Sequence, residues 1–257
     1  MCFDRERKVL FHKKRRKGHE NRWEASNIMN RENKENIITA VLFDMDGVIF
    51  DSERAQMAIW LDLAAQEGLP NMEEVYHRCI GVTMEATGKI LREAYGADFP
   101  WQDFRRRTTD GYRRRYAGGK LPVKDGAREL LRALKDRGVP LALASSTQGA
   151  LVRQWLSEAG LLEYFDVLVT GDMVSRSKPD PEIFLTACAL LHVKPKDAYV
   201  IEDSYNGIRA AHAGGMHALM VPDMLPPDAE MREKAERIFP SLWEVGVYLE
   251  KALRREF

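Results

Sequence analysis

Residues 37–43 read Ile-Ile-Thr-Ala-Val-Leu-Phe, and Asp44-Met45-Asp46-Gly47 follows at once. A short apolar run of this kind reads as a buried strand. The two carboxylates then stand at its carboxyl end, where open α/β sheets bind ligands. Like charges so close together in a buried place repel, and one pKa rises unless a cation shares the site. A structural protein has little use for that arrangement. An enzyme that needs a carboxylate nucleophile, a second carboxyl for proton transfer and a divalent metal has a good one. An Asp-rich turn closed by Gly47 would give the same four letters, so the doublet alone does not decide.

Three later segments add chemistry of the same kind. They are Leu141-Ala142-Leu143-Ala144-Ser145-Ser146, Ser177-Lys178-Pro179-Asp180-Pro181 and Tyr199-Val200-Ile201-Glu202-Asp203-Ser204. A carboxylate pair, a hydroxyl, a lysine and a second acidic pair supply what phosphoryl transfer requires.

Between Arg54 and Ala117 the pattern is helical. Met57, Trp60, Leu61 and Ala64 form a stripe that Gly68 ends, and further helices are predicted near 83–95 and 101–116. From Pro122 helices and strands alternate, the mark of a parallel sheet with crossover helices. Ala127, Leu130, Leu131 and Leu134 stripe one helix; Leu151, Trp155, Leu156 and Ala159 stripe the next; Phe184, Ala187, Cys188 and Leu191 a third. Asp180 is its natural N-cap, with Pro181 at the first helical position. About five parallel strands are expected.

Formal charge is balanced, with 39 basic and 39 acidic residues, so no global field points to nucleic acid or membrane. No apolar stretch approaches the roughly 20 residues of a membrane span, and the chain reads as soluble. Cys2, Cys79 and Cys188 are scattered without metal-ligand spacing, which suits the cytoplasm. Residues 1–36 differ from the rest. Lys13-Lys14-Arg15-Arg16-Lys17 is a basic block with polar sequence behind it and no apolar h-region, so it is not a secretory signal. The segment reads as a disordered basic extension or as residues upstream of the true start; nucleic acid is not expected as a partner.

In order and spacing the four segments resemble the haloacid dehalogenase superfamily, and within it the β-phosphoglucomutase-like, CbbY-like phosphatase branch, over about residues 38 to 250. The resemblance implies an α/β fold: a Rossmann-like parallel-sheet core, residues 37–53 and 120–257, with a small all-helical cap, residues 54–119, inserted after the first strand. It further implies that Asp44 attacks phosphorus to form an aspartyl-phosphate, and that Asp46 is the acid and base. Ser145, Ser146 and Lys178 would bind the phosphoryl group. Mg²⁺ is the implied cofactor, held by Asp44, Asp203, the backbone carbonyl of Asp46, and Glu202 directly or through water. Asp51 is expected to cap the first cap helix or serve the hinge, and Asn206-Gly207 to shape the helix after Asp203.

The cap departs from the family's mutases. Their Gly-Val-Ser-Arg-Glu loop carries an arginine for the substrate's second phosphate, but this chain reads Gly81-Val82-Thr83-Met84-Glu85, and a thioether cannot grip a dianion. The mutases' cap histidine falls on Gln56. There is no Schiff-base lysine in the loop, and Asp46 argues against dehalogenation. Thr83, Met84 and His77 are candidates for substrate recognition, as are cations from Arg105-Arg106-Arg107 and Arg113-Arg114-Arg115. The expectation is a monomeric, Mg²⁺-dependent phosphatase of small phosphorylated metabolites, sugar phosphates first. The alternatives are a β-phosphoglucomutase-type mutase and a non-catalytic metabolite-binding protein on the same scaffold.

Overall fold

A computed structural model describes residues 39–253. The basic block, Cys2 and the predicted extension over residues 1–36 lie outside the described residues. The chain begins with β1 (Ala40–Phe43) and continues through four helices, α1 (Ser52–Glu67), α2 (Met72–Cys79), α3 (Met84–Tyr95) and α4 (Trp101–Tyr116). Alternation follows: α5 (Ala127–Asp136), β2 (Leu141–Ser145), α6 (Gly149–Glu158), β3 (Val167–Thr170), α7 (Glu182–Leu190), β4 (Ala198–Glu202) and α8 (Tyr205–Ala213). The described chain closes with β5 (His217–Met220), α9 (Ala229–Lys234), β6 (Arg237–Ile238) and α10 (Leu242–Leu253).

The strands make one parallel sheet in the order β3-β2-β1-β4-β5-β6. Side chains alternate between two buried faces, which is why the strands read as unbroken apolar runs. Val41, Phe43, Leu141, Leu143, Tyr199 and Ile201 enter one core with α5, α6 and α10. Ala40, Leu42, Ala142, Ala144, Ala198 and Val200 enter the other with α7, α8 and α9. Because β1 lies between β2 and β4, the first, second and fourth motifs end side by side at one edge of the sheet.

The four helices after β1 have a core of their own around Trp60, Tyr76, Leu91 and Phe104. Trp60 meets Tyr76 and Phe104 edge-on, with ring centroids 5.1 and 5.2 Å apart. This helical cluster is a cap joined to the sheet by two crossings that hydrogen-bond to each other. Asp51 N–H donates to Pro122 O and Lys124 N–H to Ile49 O, both at 2.9 Å. Asp51 makes no side-chain cap to α1. Its carboxylate instead meets Arg54 at 2.9 Å and Lys124 at 3.6 Å, and both cations also hold the buried Asp223.

Several sequence expectations shift in detail. The two-residue β6 makes a sixth strand, and α2 fills a stretch assigned to no helix. On α1 the buried face runs through Ala55, Ile59, Trp60, Leu63 and Ala64, leaving Met57 and Leu61 half-buried. On α6 the buried residues are Val152 and Leu156. Helix α7 starts at Glu182, and the Asp180 carboxylate still accepts from the Glu182 N–H at 3.0 Å.

An ion pair at the edge of the sheet makes stability depend on pH. His217 Nδ1 faces the Glu236 carboxylate and Nε2 lies 2.9 Å from Lys196 O, so both ring nitrogens meet acceptors. The Glu236 hydrogen bond raises His217 above its ordinary 6.5, against partial burial, and the same bond lowers Glu236 below 4.5. The pair's stabilisation is therefore full between about pH 4.5 and 6.5 and fades as pH climbs through the raised histidine pKa. Thermal melts of wild type and His217→Gln are expected to differ most near pH 6 and to converge as pH rises past the raised histidine pKa. A gap that stays constant with pH would contradict the pairing.

Candidate active site

The three motif strands deliver their chemistry to one cavity of about 480 Å³, lined by Asp44, Asp46, Ser146, Lys178, Glu202 and Asp203 among others. Asp44 is placed by the sheet itself, since its N–H continues the ladder to Ile201 O at 3.0 Å. Lys178 reaches the same point from the loop between β3 and α7. Its ammonium meets Asp44, donates to Glu202 Oε1 at 2.8 Å and to Ala144 O at 3.2 Å, and lies 4.7 Å above the Phe184 ring. The second oxygen of Glu202 accepts the Ser204 N–H at 2.6 Å, and the Ser204 hydroxyl caps α8 by accepting from Gly207 N–H at 3.0 Å.

Two glycines set the spacing of these acids. Gly47 has φ +79°, and a Cβ there would lie 2.3 Å from Asp203 Oδ2. At Gly207 a Cβ would lie 1.7 Å from Glu202 Oε1. No real Cβ approaches so closely. The β1 turn and the first turn of α8 can sit against the acidic pair only because both positions lack a side chain.

The electrostatics are those of a buried site with too little positive charge. Burial pushes Asp44 up to about 7; Lys178 opposes that shift, while Glu202 and Asp46 add to it. Burial also raises Asp46, while nearby hydroxyls, among them that of Thr147 donating at 3.1 Å, oppose the shift. Asp203 lies well above the ordinary aspartate range, through burial and the repulsion of Glu202 and Asp44. Burial pulls the Lys178 ammonium down, but Asp44 and Glu202 outweigh it and hold the lysine protonated above its usual pKa. Four carboxylates, of Asp44, Asp46, Glu202 and Asp203, thus crowd around one cation, which pairs directly with Asp44 and Glu202.

The residues present fit a divalent metal. Asp44, Glu202 and Asp203 each offer an oxygen, and the three lie within 4.8 Å of one another. Hard carboxylate oxygens and a net negative charge suit Mg²⁺. The Asp46 carboxylate is not in that group; it accepts from the Thr147 hydroxyl at 3.1 Å.

Other anticipated residues are arranged differently. Ser145 is fully buried and its hydroxyl accepts from Thr147 N–H at 3.1 Å, so Ser146 rather than Ser145 lines the cavity. Thr83 caps α3 by accepting from Ala86 N–H at 3.3 Å. Met84 is half-exposed against Arg105, and neither residue lines the catalytic cavity. Lining residues not anticipated are Glu53, Tyr205, Arg209, Met224 and Leu225, together with Ile80 and Val82 from the cap loop. Glu53 followed Asp51-Ser52 in plain view, but an acid in the first turn of a helix ordinarily signals only the helix dipole. Arg209 is held by Glu230 at 2.5 and 2.8 Å and by Asn206 at 2.9 Å.

An α/β sheet with an acidic phosphoryl-transfer kit at its carboxyl edge and a helical cap above defines a class of hydrolases. The sequence profile of the haloacid dehalogenase-like hydrolases matches residues 41–221. The phosphorylated carbohydrates phosphatase of Thermotoga maritima is 36% identical over 180 residues, 70% of this chain and 83% of that protein. The β-phosphoglucomutase of Bacillus subtilis is 31% identical, over 80% and 94%. The crystal structure of a CbbY mutant from Rhodobacter sphaeroides in complex with xylulose-(1,5)-bisphosphate superposes with TM-score 0.64 at 29% identity, over 82% and 97%. This chain belongs to the haloacid dehalogenase-like hydrolase family and is an enzyme of its phosphatase kind. No helix among the described residues is long and apolar enough to cross a membrane.

Proposed function

We propose that the protein hydrolyses small phosphorylated metabolites, sugar phosphates first, by way of an aspartyl-phosphate on Asp44. One observation carries this reading: the sheet holds Asp44 at the cavity, where Lys178 binds its carboxylate and Asp46 lines the same cavity. Asp44 attacks phosphorus while Lys178 balances charge on the transferring group. Asp46, raised by burial, protonates the leaving oxygen and then takes a proton from the attacking water. Ser146 and the adjacent turn receive phosphoryl oxygens, and Ser145 fixes that turn through Thr147. When bound by Asp44, Glu202, Asp203 and the backbone carbonyl of Asp46, Mg²⁺ offsets the repulsion between carboxylate and phosphate. Residues 54–119 act as a cap domain that closes over the substrate and excludes water. The enzyme works as a cytoplasmic monomer.

The relative from Bacillus subtilis favours a second reading, a sugar-phosphate mutase. Met84 opposes it, because the cap loop offers no guanidinium of its own. Phosphate release from a panel of sugar phosphates is expected to require Mg²⁺ and to stop with chelator. Conversion of β-glucose 1-phosphate to the 6-phosphate without phosphate release would favour the mutase instead.

A further inference from the structure

Asp223 touches both chain crossings that join the cap to the sheet. It stands in the loop between β5 and α9, and its side chain is 0% exposed. Its Oδ1 accepts from Lys124 Nζ on the return crossing at 2.7 Å, and from Arg54 in the first turn of α1. The Arg54 guanidinium also reaches the Asp223 carbonyl oxygen, at 3.5 Å. Asp51 meets the same two cations, so two carboxylates and two cations close a ring across the crossings. The other oxygen of Asp223, Oδ2, is buried and meets no donor among the described residues. A buried ion pair adds little stability that apolar side chains would not supply, so the network asks for a reason beyond stability. The loop that carries Asp223 runs on into the wall of the catalytic cavity. Met224 and Leu225 line it, and Pro226 O accepts from the Tyr205 hydroxyl of α8 at 2.5 Å. The two lining residues thus lie between an anchor to the cap's crossings and an anchor to the core. The Asp223 charge also adds to the elevation of Asp203 that burial, Glu202 and Asp44 produce.

We propose that Asp223 is a positioning residue: it fastens both crossings to the loop after β5, and so fixes the cap's place over the catalytic cavity and the Met224–Leu225 wall beneath it. A turn of the cap about its crossings has to carry that loop along or break the ring of ion pairs. Substrate held between cap and wall then meets one geometry, and loosening the ring weakens its capture before it slows the chemistry at Asp44. The consequence for turnover rests on the phosphatase reading; the fastening itself does not.

The crossing amides report the fastening directly, because Asp51 N–H bonds Pro122 O and Lys124 N–H bonds Ile49 O. Hydrogen exchange of the full chain, followed amide by amide by NMR, compares wild type with Asp223→Asn, Arg54→Gln and a control, Lys135→Gln. Lys135 pairs with Asp166 at 2.6 Å, at the end of α5 away from the crossing. Asp223→Asn and Arg54→Gln are expected to speed exchange at Asp51 and Lys124 by at least about tenfold, leaving the sheet amides of Val41 and Asp44 unchanged. The control should leave the crossing amides as in wild type. Equal acceleration at crossings and sheet, or none at the crossings, overturns the fastening. On fructose 6-phosphate with Mg²⁺, both variants are expected to raise KM at least about fivefold while kcat stays within about threefold. Arg54→Gln keeps the carboxylate near Asp203, so a rise shared by both variants comes from the fastening and not from lost negative charge. Loosened crossings with an unchanged KM overturn the positioning role. Should Asp223→Asn fail to fold, Arg54→Gln decides on both readouts, since that side chain is 47% exposed and its loss opens no cavity. If wild type releases no phosphate, the phosphatase reading fails on its own and the exchange rates decide the fastening.

Discussion

Replacement of Asp44 by asparagine is expected to lower phosphate release by at least about 10⁴-fold, in line with removal of a covalent nucleophile elsewhere. The amide keeps the shape and can still sit beside Lys178, so the fold should survive. What disappears is the oxygen that forms the new bond to phosphorus. Single-turnover assays with a labelled phosphomonoester check this directly: labelled protein should accumulate transiently in wild type and not in the variant. Residual activity within tenfold of wild type would move the nucleophile elsewhere and leave Asp44 only a charge.

Replacement of Lys178 by methionine should have the largest effect on stability. The side chain is similar in length and keeps contact with Phe184, but the cation between Asp44 and Glu202 is gone. Removing one partner of a buried ion pair costs about 3–5 kcal/mol, because the remaining charges stay buried without compensation. The loss should depend on pH in a definite direction. Asp44 already lies near 7 with the lysine in place, and without it the buried carboxyls take up protons at higher pH still. A group with a raised folded pKa favours the folded state on its protonated side, so the deficit should shrink as pH falls from 8 toward 5. Added Mg²⁺ should recover part of it at pH 8 by supplying charge at the same place. Urea unfolding at several pH values, with Mg²⁺ and with chelator, measures all three effects. A variant as stable as wild type at pH 8 without metal would show that the ion pair contributes nothing.

The sheet and its motifs were legible because burial on both faces forces continuous apolar runs, and the runs of β1, β2 and β4 end in chemically unusual residues. Val41 to Asp44 and Val200 to Asp203 carry that signal without help from elsewhere. Helix α2 was not legible: its eight residues include Glu73, Glu74, His77 and Arg78, and Asn71 starts it from a left-handed conformation. The two residues of β6 are shorter than any periodicity can register. At the site, Thr147 and Glu53 gain meaning only from what lies across from them, an Asp46 oxygen in one case and the cap loop in the other. Ser145 was placed correctly at the end of its strand, but a hydroxyl's direction is decided by the turn that follows. At Met84 the sequence shows only that a thioether stands where the mutases have an arginine. The guanidinium beside it comes from a helix some twenty positions later, a juxtaposition that no spacing rule announces.

The paired crossings at Asp51 and Pro122 give the cap a particular kind of modularity. Its chain leaves and returns to the sheet one hydrogen bond apart, so the whole helical segment is grafted onto the core rather than woven through it. A short bridge across that gap would leave every sheet strand with its original neighbours. The same gap lets a lineage lengthen, shorten or exchange the graft, changing what is admitted to the catalytic acids while the surface that aligns them is inherited intact.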